Sequence, residues 1–569
     1  MASRALATLL LTALAATMTG CGPSAEPPPG EAADLVLVNG KIVTLDDARP
    51  EAAALAAKDG RIVAVGSRED VEAWIGESTE VLDLAGHLAI PGFIEGHGHF
   101  LGLGDSKLQL DLRAPATWDE IVALVAQAVA DAEPGEWIRG RGWHQDKWDA
   151  VPAPAVEGFP IHDALSAVSP DNPVVLGHAS GHAVFVNAKA MELAGIDAST
   201  PDPEGGEILR DARGRPTGLL RETAEDLVAA VQPAEPTPAE VRRRVELASA
   251  ECLAKGVTSF QDAGSSFAAI DALKQAADDG TLGVRLWIMV RGSEDDLDAR
   301  LPLYRTDDYA GHRLAVGGIK VWMDGALGSR GAWLLEPYAD SAESSGLNTF
   351  PLEETRRLAG LAIEHGYQLC IHAIGDRANR EVLDVYEETF AAHPDASDLR
   401  WRIEHAQHVD PADVPRFAEL GVIAAMQGVH CTSDGPWVPD RLGEERAAAT
   451  SYVWRTLLDA GATIANGTDA PVEDVSPVAS FHASVTRRMA GGEAFHPEQA
   501  MTRQEALASY TLGAAYAVFQ EDVKGSLEAG KLADVTVLSR DILEVPADEI
   551  PGTEVLYTIV GGEVAYRRP

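Results

Sequence analysis

The sequence predicts an α/β fold: a (β/α)8, TIM-type barrel with a small β-sandwich built from both chain ends and an insertion after the first barrel strand. Three observations predict it. Strand-like apolar runs alternate with helical patterns through the middle of the chain. One of those runs, "AVGGIKVWM", is apolar nearly throughout, as strands covered on both faces are. Both chain ends instead read as short β-rich runs joined by tight turns.

The elements follow in order. Residues 1–21 carry Arg4 and then a short apolar stretch, Ala5 to Met18, which is below the ~20 residues a membrane span needs and fits an export signal. A Pro/Gly/Glu-rich stretch, 22–32, reads as a flexible tether. Residues 33–90 hold "ADLVLVNGKIVTLD", "GRIVAVGS" and "VLDLAGHLAIPG", with Asn-Gly, Asp-Gly and Ala-Gly turns. Residues 515–569 match them in style with "KGSLEAGKLADVTVLS" and "VLYTIVGGEVAYRR", so the two ends form one sandwich domain. The barrel takes 91–514. Its strand-like runs are Leu88–Glu95, Val257–Gln261, Val284–Met289, Ala315–Met323, Gln368–Ile371, Arg400–Glu404, Val422–Met426 and Thr463–Asn466. Segments such as "EETRRLAGLAIEHG" and "REVLDVYEETFAAH" supply the helices between them. From about 100 to 235 the rhythm breaks, which marks an inserted subdomain.

At 569 residues, 46% of them hydrophobic, the chain can build a large barrel core plus a smaller unit. Its 46 basic and 88 acidic residues give a net charge of −42, which excludes nucleic acid as a partner, because phosphate binding needs a basic face. Beyond Cys21, the cysteines Cys252, Cys370 and Cys431 are too scattered for a disulfide framework or a Cys-x-x-Cys zinc site, and read as small core residues.

Chemistry gathers just past the strands. "PGFIEGHGHF" places His97 and His99 two apart, a spacing that points both side chains the same way along a strand and suits the gripping of one metal ion. Lys320 lies in "GGIKVWMDG", His372 in "CIHAIGDRA", His405 in "RIEHAQH" and Asp469 in "IANGTDAPVED", each at the end of a later strand. Alone, each has an ordinary reading as a core histidine, a surface lysine or a helix cap. In a barrel, however, every carboxyl strand end faces one rim, so residues hundreds of positions apart converge there.

Other segments supply substrate-facing candidates. His178 and His182 in "GHASGHAVFVN" are four apart, but Ser180 and Gly181 between them argue for a cavity-lining loop over a metal helix. Trp143 and His144 in "GRGWHQDKW" wall the same pocket or else pack inside the insertion. Gln427 and His430 follow the seventh strand and face the rim, where they contact substrate. Asp324 and Arg377 join this set, with loop anchoring and a helix start as their structural alternatives.

Taken together, "PGFIEGHGHF", "KVWMDGALGSRGAWL", "IHAIGDRA", "IEHAQHV", "NGTDAPV" and "KGSLEAGKLADVTVL" resemble the amidohydrolase superfamily, in its amidohydrolase-3-like branch that includes N-substituted formamide deformylases. The resemblance runs from about Ala33 to the C-terminus. It implies metal-assisted hydrolysis of a non-peptide, amide-like carbon–nitrogen bond in a small molecule. It implies that His97, His99, His372 and His405 are metal ligands, and that Asp469 both touches the metal side and manages the proton. It implies that Lys320, carbamylated by CO2, bridges two metals; unmodified, Lys320 leaves a single-metal site. Zinc is the foremost divalent ion for such donors. Glu95-Gly96 stands where the branch more often has Asp-Ser or Asp-Ala, with the Glu95 carboxylate facing away from the metal.

The end of the leader, "MTGC", resembles a bacterial lipobox. That implies an exported protein held to a bacterial cell membrane, on its periplasmic or cell-surface face, through lipid on Cys21 and by no other membrane element. A homodimer is compatible with the sequence. Two further readings stay open: the same barrel acting as an esterase, lactonase or cyclic amidase, and a non-catalytic surface binding lipoprotein.

Overall fold

The computed structural model describes residues 31–145, 148–178, 183–203, 206–232 and 237–569, without the side chain of Glu222. Cys21 and His182, with the leader and most of the tether, lie outside the described residues.

The eight parallel barrel strands are Phe93–Gly98, Val257–Ser265, Arg285–Val290, Leu314–Trp322, Gln368–Ala373, Arg402–His405, Ile423–Gln427 and Ile464–Gly467. Each pairs with the next in parallel register. The last then meets the first: the Asp469 amide donates to the His97 carbonyl at 2.8 Å, and the His99 amide to the Ala470 carbonyl at 2.7 Å. Glycines make this seam possible. A Cβ on Gly96 would stand 2.5 Å from the Asn466 carbonyl oxygen, and one on Gly467 would stand 2.5 Å from the His97 nitrogen. The strands are almost wholly buried, which is why their sequences run apolar without a polar alternation.

The first barrel strand begins later than the sequence suggests. Leu88–Pro91 belongs to the sandwich, where it pairs with Lys41–Val43 and Val535–Leu538. Gly92 is the crossing point. Its amide donates to the Asp534 carbonyl at 2.9 Å, and Thr258 leaves no room for a Cβ there. One continuous apolar run therefore serves two sheets.

The sandwich consists of a four-stranded sheet from the N-terminal region and a six-stranded sheet in which Val535–Leu538, Val555–Val560 and Glu563–Arg567 join N-terminal strands. The insertion forms its own six-stranded mixed sheet from Leu110–Asp111 to Pro216–Glu222. Residues 512–517 cover the barrel underside, where the Ala514 carbonyl accepts from Gln261 Nε2 at 2.7 Å and the Ala517 carbonyl from Gln368 Nε2 at 2.8 Å. Cys252, Cys370 and Cys431 are buried and unbridged, as their scattered spacing predicts.

Sandwich and barrel are joined by buried charge. Arg285 makes a two-pronged pair with Asp534, at 2.7 and 3.0 Å. Beside it Lys524, also buried, donates to Ser259 Oγ at 2.9 Å. Burial, aided by the Arg285 charge, holds Lys524 down to about 7. The unfolded chain binds this proton up to about pH 10.5 and the folded chain only to about 7, so the contribution of Lys524 to stability is lost as the pH falls through that window. Lys524→Met removes the effect: differential scanning calorimetry at pH 7.0 and 9.5 will show the parent losing several degrees of Tm relative to the variant on going to the lower pH.

Candidate metal centre

The barrel seam brings His97, His99 and Asp469 together. One ligand atom from each lies within 4.8 Å of the others, the one such His/Cys/Asp/Glu group among the described residues. Asp469 Oδ1 is 3.1 Å from His99 Nε2 and 3.5 Å from His97 Nε2. The Asp469 oxygen is buried and makes no hydrogen bond that satisfies it. His405 and His372 complete the wall: their ring centroids are 4.4 Å apart, and that of His405 is 4.8 Å from that of His97. Lys320 is buried, and its charge bears on both His97 and His372. All six residues singled out at the strand ends thus meet at one mouth of the barrel.

The donor atoms are left open in the way an ion requires. His97 Nε2, His372 Nε2 and Asp469 Oδ1 are all buried without partners, a costly state unless something binds them. Burial, with the Lys320 charge adding to it, holds His97 down to about 4 and His372 to about 3. His405 is likewise pushed well down by burial and its neighbouring imidazoles. Neutral imidazoles are the form that ligates metal. Burial alone would raise Asp469, but the adjacent imidazoles of His99, His97 and His405 hold it well below the usual carboxylate range. These residues fit a divalent cation.

The groups behind the ligands fix them. His97 Nδ1 donates to Glu404 Oε2 at 2.5 Å, which leaves Nε2 as the lone pair facing Asp469. Glu404 is itself gripped by Arg402 at 2.7 and 3.1 Å, and Arg402 also donates to the Gly96 carbonyl at 2.8 Å and to Gln261. Burial pushes Glu404 up, yet the charges of Arg402 and His97 bring it down to about 2. Gln427 does the same service for His405, whose Nδ1 meets Oε1 at 2.7 Å. Sequence reasoning did not single out Glu404 or Arg402. The signal was there: two charged residues on one barrel strand, two positions apart, in an otherwise apolar run.

The remaining candidates fall in several places. His430 stacks on His405 with centroids 6.3 Å apart, and its Nε2 is buried without a partner. Asp324 accepts backbone amides from Trp333, Ile374 and Gly375 at 2.8–2.9 Å and stands 3.5 Å from His372 Nε2, so it ties the loop after the fourth strand to the end of the fifth. Burial raises its carboxyl to about 7. Arg377 lies over the Trp333 ring, 4.6 Å from its centroid, bracing the same loop. Trp143 does not wall the pocket: it is wholly buried in the core of the insertion, stacked on Trp148, with its Nε1 donating to the Leu176 carbonyl at 2.8 Å. His178 packs against Trp143 and against His144, 4.6 Å from each ring. Glu95 is buried and takes the Thr468 amide at 2.5 Å, so it pins the seam.

The model of the amidohydrolase family matches residues 80–566. The chain belongs to that family. It is a metal-dependent hydrolase of carbon–nitrogen bonds. The amidohydrolase is 35% identical to the protein LONG AFTER FAR-RED 3 of Arabidopsis thaliana, over 95% of this chain and 93% of that one. It is 30% identical to the N-substituted formamide deformylase of Arthrobacter pascens, over 94% and 98%. A solved metal-dependent hydrolase of Pyrococcus horikoshii superposes with a TM-score of 0.75 at 28% identity, covering 90% of this chain and 99% of that one.

If Glu404 sets the His97 lone pair, Glu404→Gln will weaken zinc binding by about 10–100-fold and lower the Tm, since Arg402 loses its buried partner. Competition with a chromophoric chelator measures the first and calorimetry the second.

Proposed function

We propose that this hydrolase cleaves a non-peptide, amide-like bond of a small molecule, with Asp469 as the group that takes and returns the proton. The observation that carries the reading is the buried, unpartnered Asp469 Oδ1 facing the Nε2 atoms of His97 and His99. A relative named for formamide deformylation supports the bond type.

His97, His99, His372, His405 and Asp469 would hold the cation, with zinc favoured by nitrogen donors in an open site. A bound divalent ion supplies a Lewis acid that polarises a carbonyl and acidifies water. The chain's own work is in placement and proton handling. Asp469 is ionised across the working range and accepts a proton from the attacking water on its carboxylate. It then gives that proton to the leaving nitrogen as the carbon–nitrogen bond breaks. Glu404 and Gln427 keep the imidazoles of His97 and His405 in one tautomer through the cycle. Lys320 serves as a carbamate: its ammonium gives up one proton, the free amine Nζ bonds to CO2 and gives up a second, and the buried cation becomes an anionic oxygen donor that would accommodate a second ion. Without CO2 the site holds one.

Asp469→Asn will lower kcat by about 10²–10⁴-fold on any amide that the parent hydrolyses, the range for loss of a general base. Chelation will abolish activity in the parent, and zinc will restore it. Undiminished turnover in the variant, or in exhaustively chelated parent enzyme, contradicts the assignment.

A further inference from the structure

We propose that Arg291 and Trp322 form an anchor for a carboxylate carried by the substrate beside a planar, apolar group. The inference rests on the hydrolase reading and names the substrate class that the same site prefers.

Arg291 directly follows the third barrel strand, and Trp322 ends the fourth, so both stand on the rim that carries the metal centre. The Trp322 ring ties the two regions together. Its centroid is 5.6 Å from Arg291 Cζ and 5.3 Å from Lys320 Nζ. Gly264 backs this arrangement: with φ +124, its missing Cβ would stand 3.3 Å from Lys320 Cγ and 3.6 Å from Trp322 Cη2. The indole and the lysine stem are thus pressed against one stretch of backbone, and the guanidinium lies beyond them. Arg291 is also on the His99 side: its backbone amide donates to the Ser265 carbonyl at 2.9 Å, and the Ser265 hydroxyl is bonded to Asp262, which takes the amide of Phe100, the residue after His99.

Asp262 does not neutralise Arg291. Its Oδ1 accepts the Phe100 amide at 2.9 Å and its Oδ2 the Ser265 hydroxyl at 2.6 Å. Arg291 is exposed, and among the described residues no carboxylate lies within ion-pair distance of it. That is notable in a chain with 88 acidic residues against 46 basic ones, where Arg330, Arg356, Arg357 and Arg416 all carry acidic partners. A rim guanidinium without a partner offers its donor fork to an incoming anion, and carboxylate is the anion that the fork matches in plane and spacing. The indole beside it offers a flat apolar face to whatever carries that carboxylate. A substrate whose amide carbonyl is at the metal centre and whose carboxylate reaches Arg291 would lie across Trp322.

The test compares N-formyl-L-phenylalanine with N-(2-phenylethyl)formamide, which differ by the carboxylate alone. With the full-length, zinc-loaded chain, kcat/KM is expected to favour the carboxylate compound by about 10–100-fold, the worth of a charged hydrogen-bonded pair. Arg291→Gln is expected to raise KM for that compound and erase the preference, leaving kcat/KM for the neutral formamide within about twofold of the parent. Arg291→Lys should restore part of the preference. Isothermal titration of both compounds at equilibrium gives the same comparison without turnover. Carboxylate-selective binding that depends on Arg291, with no hydrolysis of either compound, would sustain the anchor and count against the bond type. No carboxylate preference in either measurement, or a preference that survives Arg291→Gln, overturns the proposal.

Discussion

The site depends on the closure of the barrel between its last strand and its first. The two backbone hydrogen bonds across that seam, from Asp469 to His97 and from His99 to Ala470, set the three ligand-bearing residues side by side. They form because Gly96 and Gly467 let the strands approach where any side chain would collide with backbone. Asp469 sits at the turn with φ +57, a conformation that few residues other than glycine adopt, and His405 at its own strand end has φ +75. Two of the proposed ligands thus sit in left-handed backbone at the rim, where the fold sets their direction.

Behind the seam, buried polar groups decide which atoms stay open. The chain from Gln261 through Arg402 and Glu404 to His97 is wholly enclosed, and every link in it is satisfied. Such a network adds little net stability over apolar packing, but removing one member leaves a buried charge uncompensated. Its value here is directional. It consumes the Nδ1 of His97 and leaves Nε2 to the site, as Gln427 consumes the Nδ1 of His405. Burial meanwhile keeps the His97, His372 and His405 imidazoles in the uncharged form, while Asp469, beside His99, stays well below the usual carboxylate range. The proposed proton acceptor and ligands are thus prepared by the same packing.

Much of this was legible in the sequence, because barrel topology turns strand-end position into spatial proximity. His97, His99, Lys320, His372, His405 and Asp469 could be gathered without coordinates. The strand starting at Phe93 could not be delimited, since Leu88–Ile94 is one apolar run and Gly92 looks like any turn residue. Trp143 illustrates a different limit: an aromatic beside a histidine in a loop-rich segment reads the same whether it faces a cavity or a core. Arg291 and Trp322 were unreadable as a pair. They stand at the ends of different strands and meet through ring geometry, which has no counterpart in spacing.

The most direct test of this account is a crystal structure of the zinc-loaded chain with anomalous data collected at the zinc edge. The account predicts an anomalous peak about 2.0–2.2 Å from His97 Nε2, His99 Nε2 and an Asp469 oxygen. A zinc peak elsewhere, with His97 Nε2 and Asp469 Oδ1 bonded to each other instead, would contradict it.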